Sequence, residues 1–141
     1  MFKLIKIEGS GTNQPEPIRV IADPSVNFKS GFAYTLVQGV LTRSDPYTRP
    51  THVAIESMSE GERSSLLCFR IHDNMIFEVP TNGSPSYFEP GYNYVLDVDA
   101  DGAGKGLEAD GERGVVMFYD MNGAINDGDT VLVRVTPEEN Y

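Results

Sequence analysis

Hydrophobic and polar residues alternate along this chain in short stretches, and Gly, Pro, Asn or Asp interrupts them roughly every 8 to 15 residues. An alternation of period two is the signature of strands with one buried face. It predicts strands near Phe2–Ile7, Ile18–Ala22, Ala33–Val37, His52–Glu56, Leu66–Ile71, Met75–Val79, Tyr92–Val98, Val115–Tyr119 and Thr130–Val135. No window of a dozen residues keeps a 3.6 period, and 14 Gly with 9 Pro would break long helices. One short helix is suggested over Ser57–Ser64, where Glu60 and Glu62 follow a serine. His72-Asp73-Asn74-Met75 reads as a tight hairpin turn, because Asp and Asn tolerate the positive φ of a two-residue loop. The fold class is all-β, a small β-barrel or β-sandwich.

Two departures from the alternation refine that expectation. Gly9 to Pro17 is polar, glycine-rich and then proline-stiffened, and it separates Phe2–Ile7 from the other strands. Residues 1–17 are accordingly read as an extended N-terminal arm and linker, and 18–141 as a single β domain. The apolar positions Phe2, Leu4, Ile5 and Ile7 would bind a partner if the arm adds its strand to a neighbouring sheet, and an ordinary first strand followed by a long loop is the alternative. The second departure is an internal repeat. Phe28-Lys29-Ser30-Gly31-Phe32-Ala33-Tyr34-Thr35-Leu36 and Phe88-Glu89-Pro90-Gly91-Tyr92-Asn93-Tyr94-Val95-Leu96 both read Phe-x-x-Gly-aromatic-x-Tyr-x-Leu. Each is a glycine-closed turn leading into a strand, which two related β-modules sharing one core would explain.

At 141 residues, one compact domain with a core that needs no metal or disulfide staple is the default. Cys68 is the only cysteine, so there is no intrachain disulfide, and with no signal-peptide pattern at Met1–Lys6 the chain reads as a product of a reducing cytoplasm. The longest apolar runs, such as Val115–Tyr119, are far shorter than the roughly 20 residues of a membrane helix. The 11 basic and 21 acidic side chains leave a net charge of −10, concentrated in residues 95–141. No Lys/Arg cluster is present to displace counterions from phosphate, so nucleic acid and anionic membranes are poor partners.

The sharpest motif is Asp97-Val98-Asp99-Ala100-Asp101-Gly102-Ala103-Gly104-Lys105-Gly106-Leu107-Glu108, which fits D-x-D-x-D-G-x5-E. Asp97, Asp99, Asp101 and Glu108 would supply the hard oxygens that calcium requires. A strand enters the motif where a helix is usual, Lys105 adds a positive charge, and a solvated glycine-rich β-turn is the preferred reading. Catalytic patterns are nearly absent. Cys68 and His72 share a strand face about 13 Å apart, too far for a thiolate–imidazole pair, and Cys68 reads as a buried core residue. His52 reads as a rim histidine. No nucleophile elbow or phosphate-binding loop is found, so the expectation is a protein that is not an enzyme.

The two Phe-x-x-Gly-aromatic-x-Tyr-x-Leu segments, with Gly39-Val40-Leu41, Pro50-Thr51-His52-Val53-Ala54, the Pro90-Gly91 strand opening, the acidic turn Asp97–Gly106 and the closing Asn126–Val135 turn and strand, resemble the head-decoration, or capsid cement, proteins of tailed bacteriophages. The resemblance spans roughly residues 28 to 136. It implies a structural protein of the virion, made in the host cytoplasm, that binds the outside of an assembled major capsid protein shell and stabilises it, often as a homo-oligomer such as a trimer. Turn aromatics such as Phe32, Tyr47, Tyr87 and Tyr92 would be interface anchors, with core packing as the alternative. The rival reading is a calcium-assisted β-sandwich module that recognises carbohydrate or a surface partner through Asp97–Glu108.

Overall fold

A computed structural model describes residues 1–62, 64–84, 88–108, 114–124 and 126–136. Eleven strands are present among the described residues: β1 Lys3–Ile7, β2 Ile18–Ala22, β3 Ala33–Val37, β4 Val40–Thr42, β5 His52–Ala54, β6 Ser65–Arg70, β7 Met75–Asn82, β8 Asn93–Val98, β9 Gly104–Glu108, β10 Val116–Asp120 and β11 Thr130–Val135. All nine expected strands are found with small shifts at their ends, and β4 and β9 are additional. The described residues contain no helix. The stretch expected to be one is instead a turn in which Glu62 accepts a hydrogen bond from the Ser59 backbone N–H at 2.8 Å. Arg63 of that stretch lies outside the described residues.

The strands form two five-stranded barrels with the same wiring. In the first, β2 runs parallel to β4 and antiparallel to β6, β3 pairs with β4 and β5, and β5–β6 completes the ring. In the second, β7 runs parallel to β9 and antiparallel to β11, β8 pairs with β9 and β10, and β10–β11 completes it. The duplication extends to atoms. Tyr34 Oη accepts the Lys29 N–H at 2.7 Å, and Tyr94 Oη accepts the Glu89 N–H at 2.8 Å. Phe28 meets Tyr34 edge-on at 4.7 Å, and Phe88 meets Tyr94 at 4.8 Å. Gly31 and Gly91 both have φ of 85°, which a side chain would oppose, and donate to Ala54 O and Phe118 O. In each copy a tyrosine ring fills the barrel while its hydroxyl closes the preceding turn. The repeated motif therefore encodes one packing unit used twice.

The barrels are not independent. Tyr34, Leu41, Leu66, Phe28, Val26 and Met58 fill the first. The larger second core contains Phe77, Val79, Leu96, Leu107, Phe118, Val131 and Val133, but also Ala33, Val53, Phe69 and Ile71 from the strands of the first barrel or their ends. Phe69 stacks on Phe77 across the junction at 6.3 Å. The expected His72–Met75 turn forms, with the Met75 N–H donating to His72 O at 3.1 Å. It does not make a hairpin, however. Both edges of β6 are already taken by β2 and β5, so β7 leaves to start the second barrel.

Candidate functional site

The N-terminal segment is an ordered strand of the molecule. β1 pairs antiparallel with β7, from Lys3 opposite Glu78 to Ile7 opposite Met75, with a bulge between Leu4 and Lys6. Phe2 is 2% exposed and meets the Phe77 ring edge-on at 5.5 Å. Its N–H donates to Gly31 O, so the segment bridges both barrels. Leu4 and Ile7 are half-buried against the second core, and Ile5, at the bulge, faces outward. Of the four expected partner-binding residues, only Ile5 presents substantial apolar surface. Every other strand has neighbours on both sides, so β1 is the one strand of the described sheet with an open edge.

The acidic motif is a hairpin tip docked into the other barrel. In the first barrel, β3 turns into β4 through Gln38 and Gly39 alone, both with positive φ. In the second, β8 and β9 are separated by Asp99–Ala103, and that longer loop reaches across the junction. Ala103 is buried in the first barrel's core, and Gly102 O accepts the Ser44 N–H at 2.7 Å. Gly102 has φ of 77°, and a Cβ there would collide with the Arg43 side chain, so glycine is required twice over.

Two carboxylates of the motif, Asp99 and Asp101, hold this dock. Lys29 Nζ lies 2.8 Å from Asp99 and 3.3 Å from Asp101, and Lys105 lies 3.7 Å from Asp97. Asp99 Oδ1 also accepts the N–H groups of Asp101 and Ala103. Partial burial works to raise the Asp99 carboxyl, but the bonds from Lys29 and the two backbone N–H groups outweigh it and hold it below the usual carboxylate range. Glu108 stands at the far end of β9, opposite Val95, and accepts from Asn82 Nδ2 at 2.9 Å. The four expected ligands are thus not gathered at one point, and no group of three His, Cys, Asp or Glu able to hold a metal occurs among the described residues.

Cys68 is fully buried and its thiol is pushed up to about 11 by that burial, which leaves it inert as a nucleophile. His72 is exposed beyond the end of β6. Among the turn aromatics, Tyr47 and Tyr92 are 65% and 62% exposed, Phe32 packs on the first core, and Tyr87 lies outside the described residues.

One concave feature was not anticipated from the sequence. The mouth of the first barrel is a cleft of about 500 Å³, lined by Ile18 and Val20 of β2, Leu36 of β3, Arg49, Thr51, His52 and Arg70. It continues past Ile18 and Arg70 into a smaller hollow with Glu16, His72 and Met75. Its polar wall is organised around Thr51, whose Oγ1 accepts the Leu36 N–H at 2.8 Å and lies 2.8 Å from His52 Nδ1. Burial, aided by the charge of Arg70, lowers His52 to about 4, so its ring is neutral at pH 7. Arg49 is held by donating Nε–H to Thr136 O at 2.6 Å. Neither Arg49 nor Arg70 has a carboxylate partner among the described residues.

No known family model, curated protein or solved structure matches the chain.

Proposed function

We propose that the protein is a non-catalytic brace that docks on a larger assembly, and that this assembly is the outer surface of a phage shell built from a major capsid protein. The kind of assembly comes from the sequence resemblance. The outer edge of β1 is the observation that carries the docking step: the other described strands are sealed into two closed rings, which leaves a stiff body with one edge that no described strand covers, although the Ile7 N–H there donates to Asn13 Oδ1 at 3.1 Å. Lys3 and Lys6 flank that edge, and both are exposed in a molecule of net charge −10. Two copies meeting edge to edge there would bring like charges together, so the edge suits a different, acidic partner strand.

Co-sedimentation with assembled shells of the major capsid protein encoded in the same genome tests this reading. Lys3→Glu with Lys6→Glu alters only exposed side chains of β1 and is expected to weaken shell binding at least ten-fold while the melting temperature holds. Equal binding by the double variant and the parent overturns the edge as the docking site. Absence of binding by the parent overturns the shell as the partner. Deleting residues 1–7 is a poorer test, because it removes Phe2 from the core and destabilises the body.

A further inference from the structure

The mouth of the first barrel differs from its twin in ways that folding alone does not favour. The shared pairing places His52 opposite Tyr34 and Val116 opposite Tyr94. Thr51 O accepts the Ile71 N–H, and Val115 O accepts the Thr136 N–H, so Thr51-His52 occupies the place of Val115-Val116. Val115 and Val116 are 4% and 0% exposed and belong to the hydrocarbon of the second core. The first barrel instead buries a titratable ring at the same backbone position, and that ring resists protonation.

The neighbouring strand diverges in the same sense. His52 stands opposite Arg70 and Val116 opposite Val135, which makes Arg70 and Val135 equivalent. Val135 is fully buried in the second core. Arg70 is exposed at the cleft without an ion pair among the described residues. His52 Nε2 has no described partner either. Among the described residues the only fully buried side-chain oxygen or nitrogen without a partner is Thr35 Oγ1, so His52 Nε2 keeps some exposed surface, and His52 lines the cleft.

We propose that this mouth binds a small amphipathic carboxylate, its apolar body on Ile18, Val20 and Leu36 and its carboxylate between Arg49 and Arg70 beside His52 Nε2. A guanidinium fork matches a planar carboxylate through paired hydrogen bonds, and Arg49 is oriented in advance by Thr136 O. Glu16 closes the far end of the groove and repels a second negative charge, which fixes the acid at the Arg49 end. Tyr34, Leu41 and Leu66 fill the barrel beneath, so the ligand lies in the mouth and does not thread the barrel. The volume falls within the roughly 300–1,000 Å³ of small-ligand sites. The acid is either a free small molecule or the C-terminal carboxylate of a peptide, and the two share this chemistry.

Titration calorimetry with benzoate, benzamide, inorganic phosphate, and a tripeptide ending in Phe as free acid or amide tests the site, with the ring protons of the two histidines read by NMR. Saturable binding of benzoate or the acid peptide, a shift of the His52 resonances, and at least ten-fold weaker binding by Arg70→Ala support the proposal. Acid peptide binding ten-fold tighter than benzoate identifies a chain terminus as the source, and comparable affinities identify a free acid. Arg19→Ala removes an equal charge outside the cleft and is expected to bind as the parent does. Absence of acid binding, equal binding of the amides, tighter binding of phosphate, or equal losses in the Arg70 and Arg19 variants each overturn it.

Discussion

The two barrels share one wiring diagram, one aromatic–tyrosine unit and one glycine turn, yet they meet solvent differently. The second buries Val115, Val116 and Val135 at the positions where the first carries Thr51, His52 and Arg70 along a cleft. The second extends its β8–β9 turn into a docking peg, while the first keeps the tight Gln38-Gly39 turn. Features present in both copies answer to the requirements of the barrel. Features present in one copy need another cause, and in this chain they fall into two groups: the peg joins the copies, and the polar mouth faces outward.

The largest expected effect concerns whether the two copies fold as one. Phe77 is fully buried and stacks on Phe69 from the other barrel, so Phe77→Ala is expected to cost about 3–5 kcal/mol. Because the core is shared, unfolding is expected to remain a single transition, with far-UV and near-UV circular dichroism coincident. Two separate transitions would mean that the barrels are beads on a string and would remove the basis for comparing them as halves of one body.

His52→Val gives the first mouth the second mouth's residue. The His52 ring has its native pKa lowered to about 4, below the ordinary value near 6.5. Between those values the unfolded chain binds a proton that the native chain refuses. The contribution of the neutral ring is therefore complete above about pH 6.5 and is lost as pH falls toward 4, by roughly 2 to 3 kcal/mol. Denaturant titrations at pH 7 and pH 4.5 should show the variant losing less stability than the parent over that interval. Parallel losses would mean that His52 is not held neutral.

The duplicated tyrosines permit a finer comparison. Tyr34 is fully buried and takes a part-buried N–H, so Tyr34→Phe is expected to cost about 1 kcal/mol. Tyr94 bonds an exposed N–H that water can satisfy, and Tyr94→Phe is expected to cost less than about 0.5 kcal/mol. Equal costs would show that the hydroxyl, and not its surroundings, sets the value.

Much of this architecture was legible in the sequence, because the repeat at Phe28–Leu36 and Phe88–Leu96 records a packing unit with fixed spacing. What was not legible has physical reasons. β9 is Gly-Lys-Gly-Leu-Glu, a poor strand by propensity. Its glycines are there because a Cβ on Gly106 would overlap the Pro80 carbonyl oxygen and one on Gly104 would sit 3.0 Å from Ala33 O. β4 is only three residues long. The mouth combines residues from several segments that no local pattern links. Extending the repeat past β9 would have exposed it, since that alignment sets Thr51-His52 against Val115-Val116, but the longer peg loop shifts the spacing and hides the match. Phe2 was misread because alternation shows that a strand has an apolar face without showing which body covers it.

The smallest expected effect is no effect, and it tests whether the peg is only a peg. A calcium ion bound to the native state would raise stability by RT ln(1 + [L]/Kd), about 2.7 kcal/mol at a hundredfold excess over Kd. Here Asp99 and Asp101 already hold Lys29, Asp97 lies near Lys105, and Glu108 stands at the opposite end of its strand. Gathering them around an ion would break the Lys29 clasp and draw Ala103 out of the neighbouring core. The melting temperature is therefore expected to be the same in millimolar calcium and in chelator. Lys29→Met should lower it only slightly, because the ion pair is partly exposed and contributes about 1 kcal/mol or less. A rise of several degrees with calcium would show that the peg can let go of the first barrel to bind metal, and the difference between the two hairpins would then be a regulatory one.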